Sequence, residues 1–367
     1  MSFDPDAPAA EGALFGLPFT PETARIQVQL VPWQATTSYR RGTRDGPAAM
    51  VTASLQVDLY DVEYGDFWQA GIALLPEDER IRAWDAEAEP DALRVIDSLG
   101  TDSDAAARVN VISERLNEVV YAAAVATLDA GKIPSLVGGD HSSPFGLIRA
   151  VAERFPGVGV LHIDAHADLR DAYEGFTWSH ASIMLNTLRY IPDVSGVVQV
   201  GIRDVGSAEV ALIRSESRLR TFFDADLAAR LADGEPWNGL VDEIIAALPP
   251  RVYVSFDVDG MEPALCPTTG TPVPGGLDWR QVQRLLARLA DAREIVGFDV
   301  NEIGQASGMA TLRRGCSTSF AARRCGVSGH RVRRTPPRST PRSPPARATT
   351  SSPPQQPLRF HDGSART

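Results

Sequence analysis

The sequence predicts an α/β protein built on a mainly parallel sheet, on three observations. Short apolar runs rich in β-branched residues recur at 26–31, 135–137, 158–163, 197–202, 252–258 and 295–300. Such runs are the mark of strands buried on both faces. Stretches with apolar residues at helical spacing lie between them, and alternating strands and helices make a parallel sheet. Several of the runs end in carboxylates, imidazoles or glycines, and strand carboxyl ends are where open α/β sheets bind ligands.

The elements follow in order. Residues 1–25 read as a loose lead-in, and 26–31 as the first strand. Residues 31–49, with Arg40, Arg41, Gly42, Asp45, Gly46 and Pro47, read as a polar loop before a helix. Residues 105–130 carry apolar side chains at helical spacing and stop at Gly131. Asp278 is placed to cap a helix over 279–292. No internal repeat interrupts this pattern, so one domain is expected over 26–303.

Composition sets limits on function. Of 367 residues, 43% are hydrophobic and 23% charged, as in soluble globular proteins. No apolar run approaches the roughly 20 residues needed to cross a membrane. The acidic N-terminus lacks the basic-then-apolar layout of a secretory signal, which points to the cytoplasm. Cys266, Cys316 and Cys325 have no paired spacing, so neither a disulfide framework nor a zinc knuckle is indicated. The net charge of −11 divides unevenly: 304–367 holds twelve arginines and one acid, Asp362, a net of +11, which leaves −22 on 1–303. An acidic body suits a small cationic substrate and argues against nucleic acid as the main partner. The basic tail leaves open a nucleic-acid-binding arm.

Three segments carry the chemistry. In Asp164-Ala165-His166-Ala167-Asp168 the polar residues alternate, so an extended chain projects all three to one face as a strand runs out. Unpaired carboxylates gathered there would repel one another, so a cation is the natural companion. Asp257 and Asp259, in Ser255-Phe256-Asp257-Val258-Asp259-Gly260, repeat the device. Gly138-Gly139-Asp140-His141-Ser142 follows a third strand, and its glycines let the backbone turn sharply and bring His141 to the same edge. Each has a plainer alternative: solvated strand-end acids at 164–168, an Asx-rich turn at 257–260, an ordinary or phosphate-cradling loop at 138–142. The last lacks the Lys and Ser/Thr of a P-loop. Together the segments supply four carboxylates and two imidazoles. That oxygen-rich set suits manganese better than zinc, and is too large for one tetrahedral ion. Two ions roughly 3.5–4 Å apart would share it and activate one water between them.

These motifs, with residues 267–276 and Gly297-Phe298-Asp299-Val300-Asn301-Glu302, resemble the ureohydrolases, the family of arginase and agmatinase. The resemblance runs from about Ile26 to Ile303. It implies a three-layer α/β/α fold, a homo-oligomer, and two Mn²⁺ ions. His141, Asp164, Asp168 and Asp257 would hold one ion. His166, Asp164, Asp257 and Asp259 would hold the other, with Asp164 and Asp257 shared. It assigns Glu302 to the substrate guanidinium and Asp168 to the proton of the attacking hydroxide. His180, in Trp178-Ser179-His180-Ala181-Ser182, matches a family histidine that shuttles a proton to the leaving amine; a helix-start histidine satisfied by Ser179 or Ser182 is the alternative. Residues 169–175 resemble agmatinases rather than arginases, whose loop there holds an amino-acid head. Agmatine, split to urea and putrescine in polyamine biosynthesis, is therefore the first candidate substrate. Guanidinobutyrate, another guanidine, arginine, or a metal-binding relative without activity are the alternatives. Gly201-Ile202-Arg203-Asp204 also matches, as structural support for the loop edge.

From Gly304 the resemblance stops and the composition shifts. Residues 331–357 are dominated by Arg, Pro, Ser and Thr and cannot bury enough apolar surface to order themselves. Back-translated and read from the third base of each codon, 304–320 can give Pro-Gly-Glu-Trp-Asp-Gly-Asn-Val-Ala-Ala-Arg-Leu-Leu-Tyr-Lys-Leu, which resembles the family's terminal helix. The tail is thus expected to be disordered and to come from a shifted frame. Resequencing around the Gly304 codon is expected to reveal the interruption; an unbroken frame with a protease-resistant tail would contradict it.

Overall fold

Eight segments of the chain pair side by side in one direction, in one sheet. The computed structural model describes residues 3–62 and 65–304. Its strands are β1 (Ile26–Val31), β2 (Ile72–Leu74), β3 (Ile133–Gly138), β4 (Val158–Ile163), β5 (Val194–Ile202), β6 (Leu219–Phe223), β7 (Arg251–Asp257) and β8 (Glu294–Asn301). They stand in the order β2-β1-β3-β8-β7-β4-β5-β6, and every pair is parallel. The six strands expected from the sequence are present. Two were not expected, and both are edge strands. β2 has only three residues, and β6, Leu-Arg-Thr-Phe-Phe, buries only Leu219 and Phe222 and carries the polar Arg220 and Thr221 between them instead of forming an apolar run.

Helices α1 (Gly46–Ser54), α2 (Glu79–Asp97), α3 (Ser103–Asp129), α4 (Phe145–Arg154), α5 (Ile183–Tyr190), α6 (Ser207–Ser215), α7 (Asp224–Ala232), α8 (Trp237–Ala246) and α9 (Trp279–Ala292) cover both faces. Alternate residues of β4 show why there are three layers. Val158 and Val160 join the apolar cluster of α2, α3, α4 and α5. Leu161 and Ile163 join that of α1, α7, α8 and α9. Each such fully buried side chain contributes about 1.5–3 kcal/mol of transfer free energy. Caps fix the helix ends. Asp102 accepts from Ala105 N at 3.0 Å at the start of α3, and Gly131 follows its end with φ +71, where a side chain would strain. Asp278 and Gln281 form the reciprocal capping box that starts α9.

The lead-in differs from expectation. Leu14, Phe15 and Leu17 are buried, and Phe15 N donates to Ser54 Oγ at 2.8 Å. An apolar patch inside an acidic segment thus seals the flank of α1. The tail, 305–367, with its expected disorder and shifted frame, lies outside the described residues. Among the described residues, no helix is long and apolar enough to cross a membrane.

The register positions the site. Val137 of β3 pairs with Val300 of β8, Val300 with Phe256 of β7, and Phe256 with Ile163 of β4. One residue further, Gly138, Asn301, Asp257 and Asp164 come level at the carboxyl edge of the four central strands. Close backbone approach brings the β3 turn against the chain leaving β1. A Cβ on Gly139 would lie 1.6 Å from Trp33 O, and Asp140 N donates to that same oxygen at 2.8 Å. Gly139→Ala is expected to lower stability by at least about 3 kcal/mol in chemical denaturation; an unchanged midpoint would show that the 33–36 loop moves freely.

Candidate metal centre and substrate cleft

Each central strand delivers its polar residues as it leaves the sheet. After β3 come Gly139, Asp140 and His141; after β4, Asp164, His166 and Asp168; β7 ends on Asp257 and turns through a short 3₁₀ segment bearing Asp259; after β8 comes Glu302. His141, Asp164, Asp168, Asp257, Asp259 and Glu302 are all buried, while His166 is partly exposed. The expected extended run through 164–168 breaks at its last residue. Asp168 takes φ +55, and its carbonyl accepts from Met184 N and Leu185 N, both at 3.1 Å. The start of α5 therefore holds a strained residue in place. Glu302, at φ +62, is held likewise by its N–H donating to Gly139 O at 2.8 Å. Unfavourable backbone of this kind persists only where its surroundings dictate it.

The donor atoms form two groups. His141 Nδ1 has Asp164 Oδ2 at 3.1 Å, Asp168 Oδ2 at 3.1 Å and Asp257 Oδ2 at 3.3 Å. His166 Nδ1 has Asp259 Oδ2 at 3.1 Å and Asp164 Oδ1 at 3.4 Å. Asp164 thus serves both groups, one oxygen to each. One ring N–H cannot satisfy three carboxylate oxygens. Asp168 Oδ2 is close to His141 but misaligned, and is buried without a hydrogen bond. An orphaned carboxylate oxygen aimed at a cluster of oxygen and imidazole donors fits a divalent cation. The far side of His141 agrees. Ser255 Oγ donates to Asp299 Oδ1 at 3.1 Å, so at 2.9 Å from His141 Nε2 it can only accept. That places the proton on Nε2 and leaves Nδ1 for a metal, an outer-shell arrangement common to metal-binding histidines.

Charge is balanced by the imidazoles. Burial opposes protonation of His141, but Asp164, Asp168 and Asp257 outweigh it and raise its pKa well above the usual histidine range. Burial likewise opposes protonation of His166, yet Asp259 and Asp164 push it up to about 12. Asp164 is held well below the usual range, against burial, by His162, His141 and His166. Asp168 is raised to about 6 by burial and the charge of Asp164. Asp257 is raised well above its ordinary value by burial, Asp259 and Asp164. Without metal, protonated imidazoles would supply the positive charge, and metal binding would release their protons.

A cleft of about 130 Å³ opens over the groups, lined by His141, His166, Asp168, His180, Asp257 and Glu302 on its floor. Glu302 Oε1 accepts from His141 N at 2.9 Å, and burial together with Asp140 raises its pKa well above the carboxylate range. His180 is not satisfied by Ser179 or Ser182. Thr36 Oγ1 donates to Asp140 Oδ2 at 2.9 Å and so accepts from His180 N at 3.1 Å and from Nδ1 at 3.3 Å. Nε2 is left as the ring's acceptor. Burial, with His166 and His141 nearby, lowers the His180 pKa to about 4. At the rim, Arg170 stacks on Tyr173 with Cζ 4.8 Å from the ring centroid.

All residues expected at the site from the sequence are thus brought together. Three others were missed. Thr36 sits in a loop read only as polar. Asp204 was grouped with structural residues; Arg203 is indeed spent on carbonyls, including Asp259 O at 2.6 Å, but Asp204 lines the cleft 3.8 Å from His166. His162 hides in an apolar strand, yet stands with His141, Asp164 and Asp168 as a possible metal group.

Comparison with known proteins follows the same residues. A model of the Arginase family matches residues 24–311. The N(1)-aminopropylagmatine ureohydrolase of Thermus thermophilus is 34% identical over 291 residues, 79% of this chain and 86% of the relative. The agmatinase of Pyrococcus horikoshii is 30% identical over 293 residues, 80% of this chain and 86% of the relative. Among solved structures, the agmatine ureohydrolase of Thermoplasma volcanium aligns with a TM-score of 0.61 at 26% identity, covering 83% of this chain and 88% of that one.

The gathered carboxylates repel one another. The raised pKa of Asp257 means that the folded, metal-free protein holds this proton longer than the unfolded chain, so its contribution lowers stability as pH rises above the ordinary carboxylate range. Asp257→Asn in chelated protein is expected to raise stability near neutral pH by about 1 kcal/mol, with a smaller gain at acid pH. Denaturation in which the variant is less stable at both pH values would contradict this charge balance.

Proposed function

The chain belongs to the arginase family, whose members hydrolyse C–N bonds of linear amidines at a binuclear metal site, and we propose that its substrate is agmatine, cleaved to urea and putrescine with two manganese ions. The observation that carries the proposal is the cleft: a buried carboxylate, Glu302, faces the shared-aspartate cluster, and the rim offers Asp204 and no amino-acid cradle recognisable in 169–175.

His141, Asp164, Asp168 and Asp257 would hold one ion, and His166, Asp164, Asp257 and Asp259 the other. A metal pair supplies one thing: it lowers the pKa of water enough to make it nucleophilic near neutral pH. The chain's own residues supply the rest. Glu302 Oε2, against which a Cβ on Gly270 would come to 3.2 Å, receives the guanidinium through paired N–H groups. The water oxygen bonds to the guanidinium carbon and becomes the urea carbonyl. Asp168, whose pKa is pushed up to about 6 by burial and the charge of Asp164, takes the water's proton on the carboxylate oxygen that does not hold the ion. His180 Nε2 passes it to the substituted nitrogen. With a pKa lowered to about 4, His180 holds that proton only in passing. The C–N bond then breaks with its electron pair going to nitrogen, the remaining hydroxyl proton leaves the oxygen as the urea carbonyl forms, and the amine departs as an ammonium carrying both of the water's protons. Asp204 answers the substrate's distal ammonium.

The name of the Thermus thermophilus relative favours a second reading, an agmatine lengthened by an aminopropyl group. The tail of such a substrate would extend past Asp204 into solvent, and the chemistry would be the same.

Chelated enzyme is expected to release no urea and to recover with manganese; full recovery with zinc alone would contradict the metal assignment. In a panel of guanidines, kcat/KM for agmatine or its aminopropyl derivative is expected to exceed that for arginine roughly 100-fold. A preference for arginine or guanidinobutyrate would overturn the substrate assignment. Glu302→Gln is expected to raise KM and to cut turnover by roughly 100-fold, because an amide can orient a guanidinium but not neutralise it.

A further inference from the structure

His162 is the one imidazole of the cluster for which the proposed reaction has no use. Its side chain is fully buried, with Nε2 at 2.8 Å from Asp164 Oδ2 and 3.9 Å from Asp168 Oδ2. By position alone it could be a further metal ligand. The hydrogen bonds on its other edge decide otherwise. Gln199 Nε2 lies 2.7 Å from Ala167 O and 3.1 Å from His162 Nδ1. A carbonyl oxygen only accepts, so the atom facing it is the amide NH₂ and not the amide oxygen. With that orientation set, Gln199 Oε1 accepts from Thr221 Oγ1 at 2.8 Å. The second hydrogen of that NH₂ points to His162 Nδ1, which must therefore accept. The ring proton then resides on Nε2, facing Asp164. A protonated nitrogen has no lone pair for a metal.

We propose that His162 is a positioning residue for the metal centre: through Nε2–H it clamps Asp164 Oδ2, in a tautomer dictated by the Ala167 carbonyl through Gln199. The proposal rests on reading the cluster as a metal centre. Asp164 must present Oδ2 to the His141 group and Oδ1 to the His166 group at once. Free rotation of the carboxylate would spoil both, and the short His162 contact opposes that rotation. His162 and Gln199 lie on neighbouring strands, β4 and β5, so the parallel sheet itself sets the alignment.

The test uses the full chain, stripped of metal. Nitrogen-15 NMR of the histidines should show the His162 proton on Nε2, with Nδ1 as the unprotonated nitrogen; a proton on Nδ1 would overturn the proposal. Calorimetric titration with manganese should give two ions per chain for the wild type, and for His162→Phe two ions bound about 10–100-fold more weakly. His162→Gln, which keeps an N–H donor at the reach of Nε2, should recover most of that affinity. Loss of one ion in His162→Phe without recovery in His162→Gln would make His162 a ligand and overturn the proposal. Unchanged affinity in a folded His162→Phe would make it a plain core residue. If His162→Phe does not fold, the NMR tautomer and His162→Gln decide. A wild type that binds no divalent cation would refute the metal centre itself, a failure distinct from that of the clamp.

Discussion

Five carboxylates, those of Asp164, Asp168, Asp257, Asp259 and Glu302, are held out of water at the ends of three neighbouring strands, and the positive charge they require governs the rest of the site. His141 and His166 meet the requirement in part, their pKa values raised well above the ordinary histidine range by the surrounding carboxylates. Two divalent cations would meet it more fully, because Asp168 Oδ2 is buried without a hydrogen bond. The charge that remains, centred on Glu302, is offered to a guanidinium. One electrostatic imbalance thus underlies metal binding, the perturbed acids and bases, and the preference for a cationic substrate.

The sheet makes this imbalance possible. Residues brought level by parallel register cannot move apart without breaking the ladders on both sides, and helices on each face exclude water from the strands beneath. Unfavourable local geometry accumulates at the same edge. Asp168 and Glu302 adopt left-handed backbone, and Gly139 tolerates a contact that no side chain could. Stability elsewhere, in the continuous apolar clusters on either face, offsets the cost of assembling the site.

What the sequence disclosed depended on how local the signal was. Asp164, His166 and Asp168 alternate within five residues, and Asp257 and Asp259 repeat the spacing, so these candidate ligands were legible without any tertiary information. The central strands were legible for a similar reason, since burial on both faces leaves unbroken apolar runs. β2 and β6 were not, because edge strands need no such run. His162 was read as part of a strand, and nothing near it in sequence could have shown otherwise: its role depends on Gln199, which only the sheet order brings beside it. Thr36 was hidden in the same way, since its partners Asp140 and His180 lie in distant segments. The buried Leu14–Leu17 patch was missed because acids and prolines surround it.

The claim on which the account turns is that Asp164 joins two cations into one centre. Electron paramagnetic resonance of the protein loaded with two equivalents of manganese tests it directly. Ions bridged by shared carboxylates are exchange-coupled, so a coupled multiline spectrum is expected, with weaker coupling in Asp164→Asn, where Asp257 is the one shared carboxylate left. An isolated-ion spectrum in the wild type at full loading would contradict a shared centre.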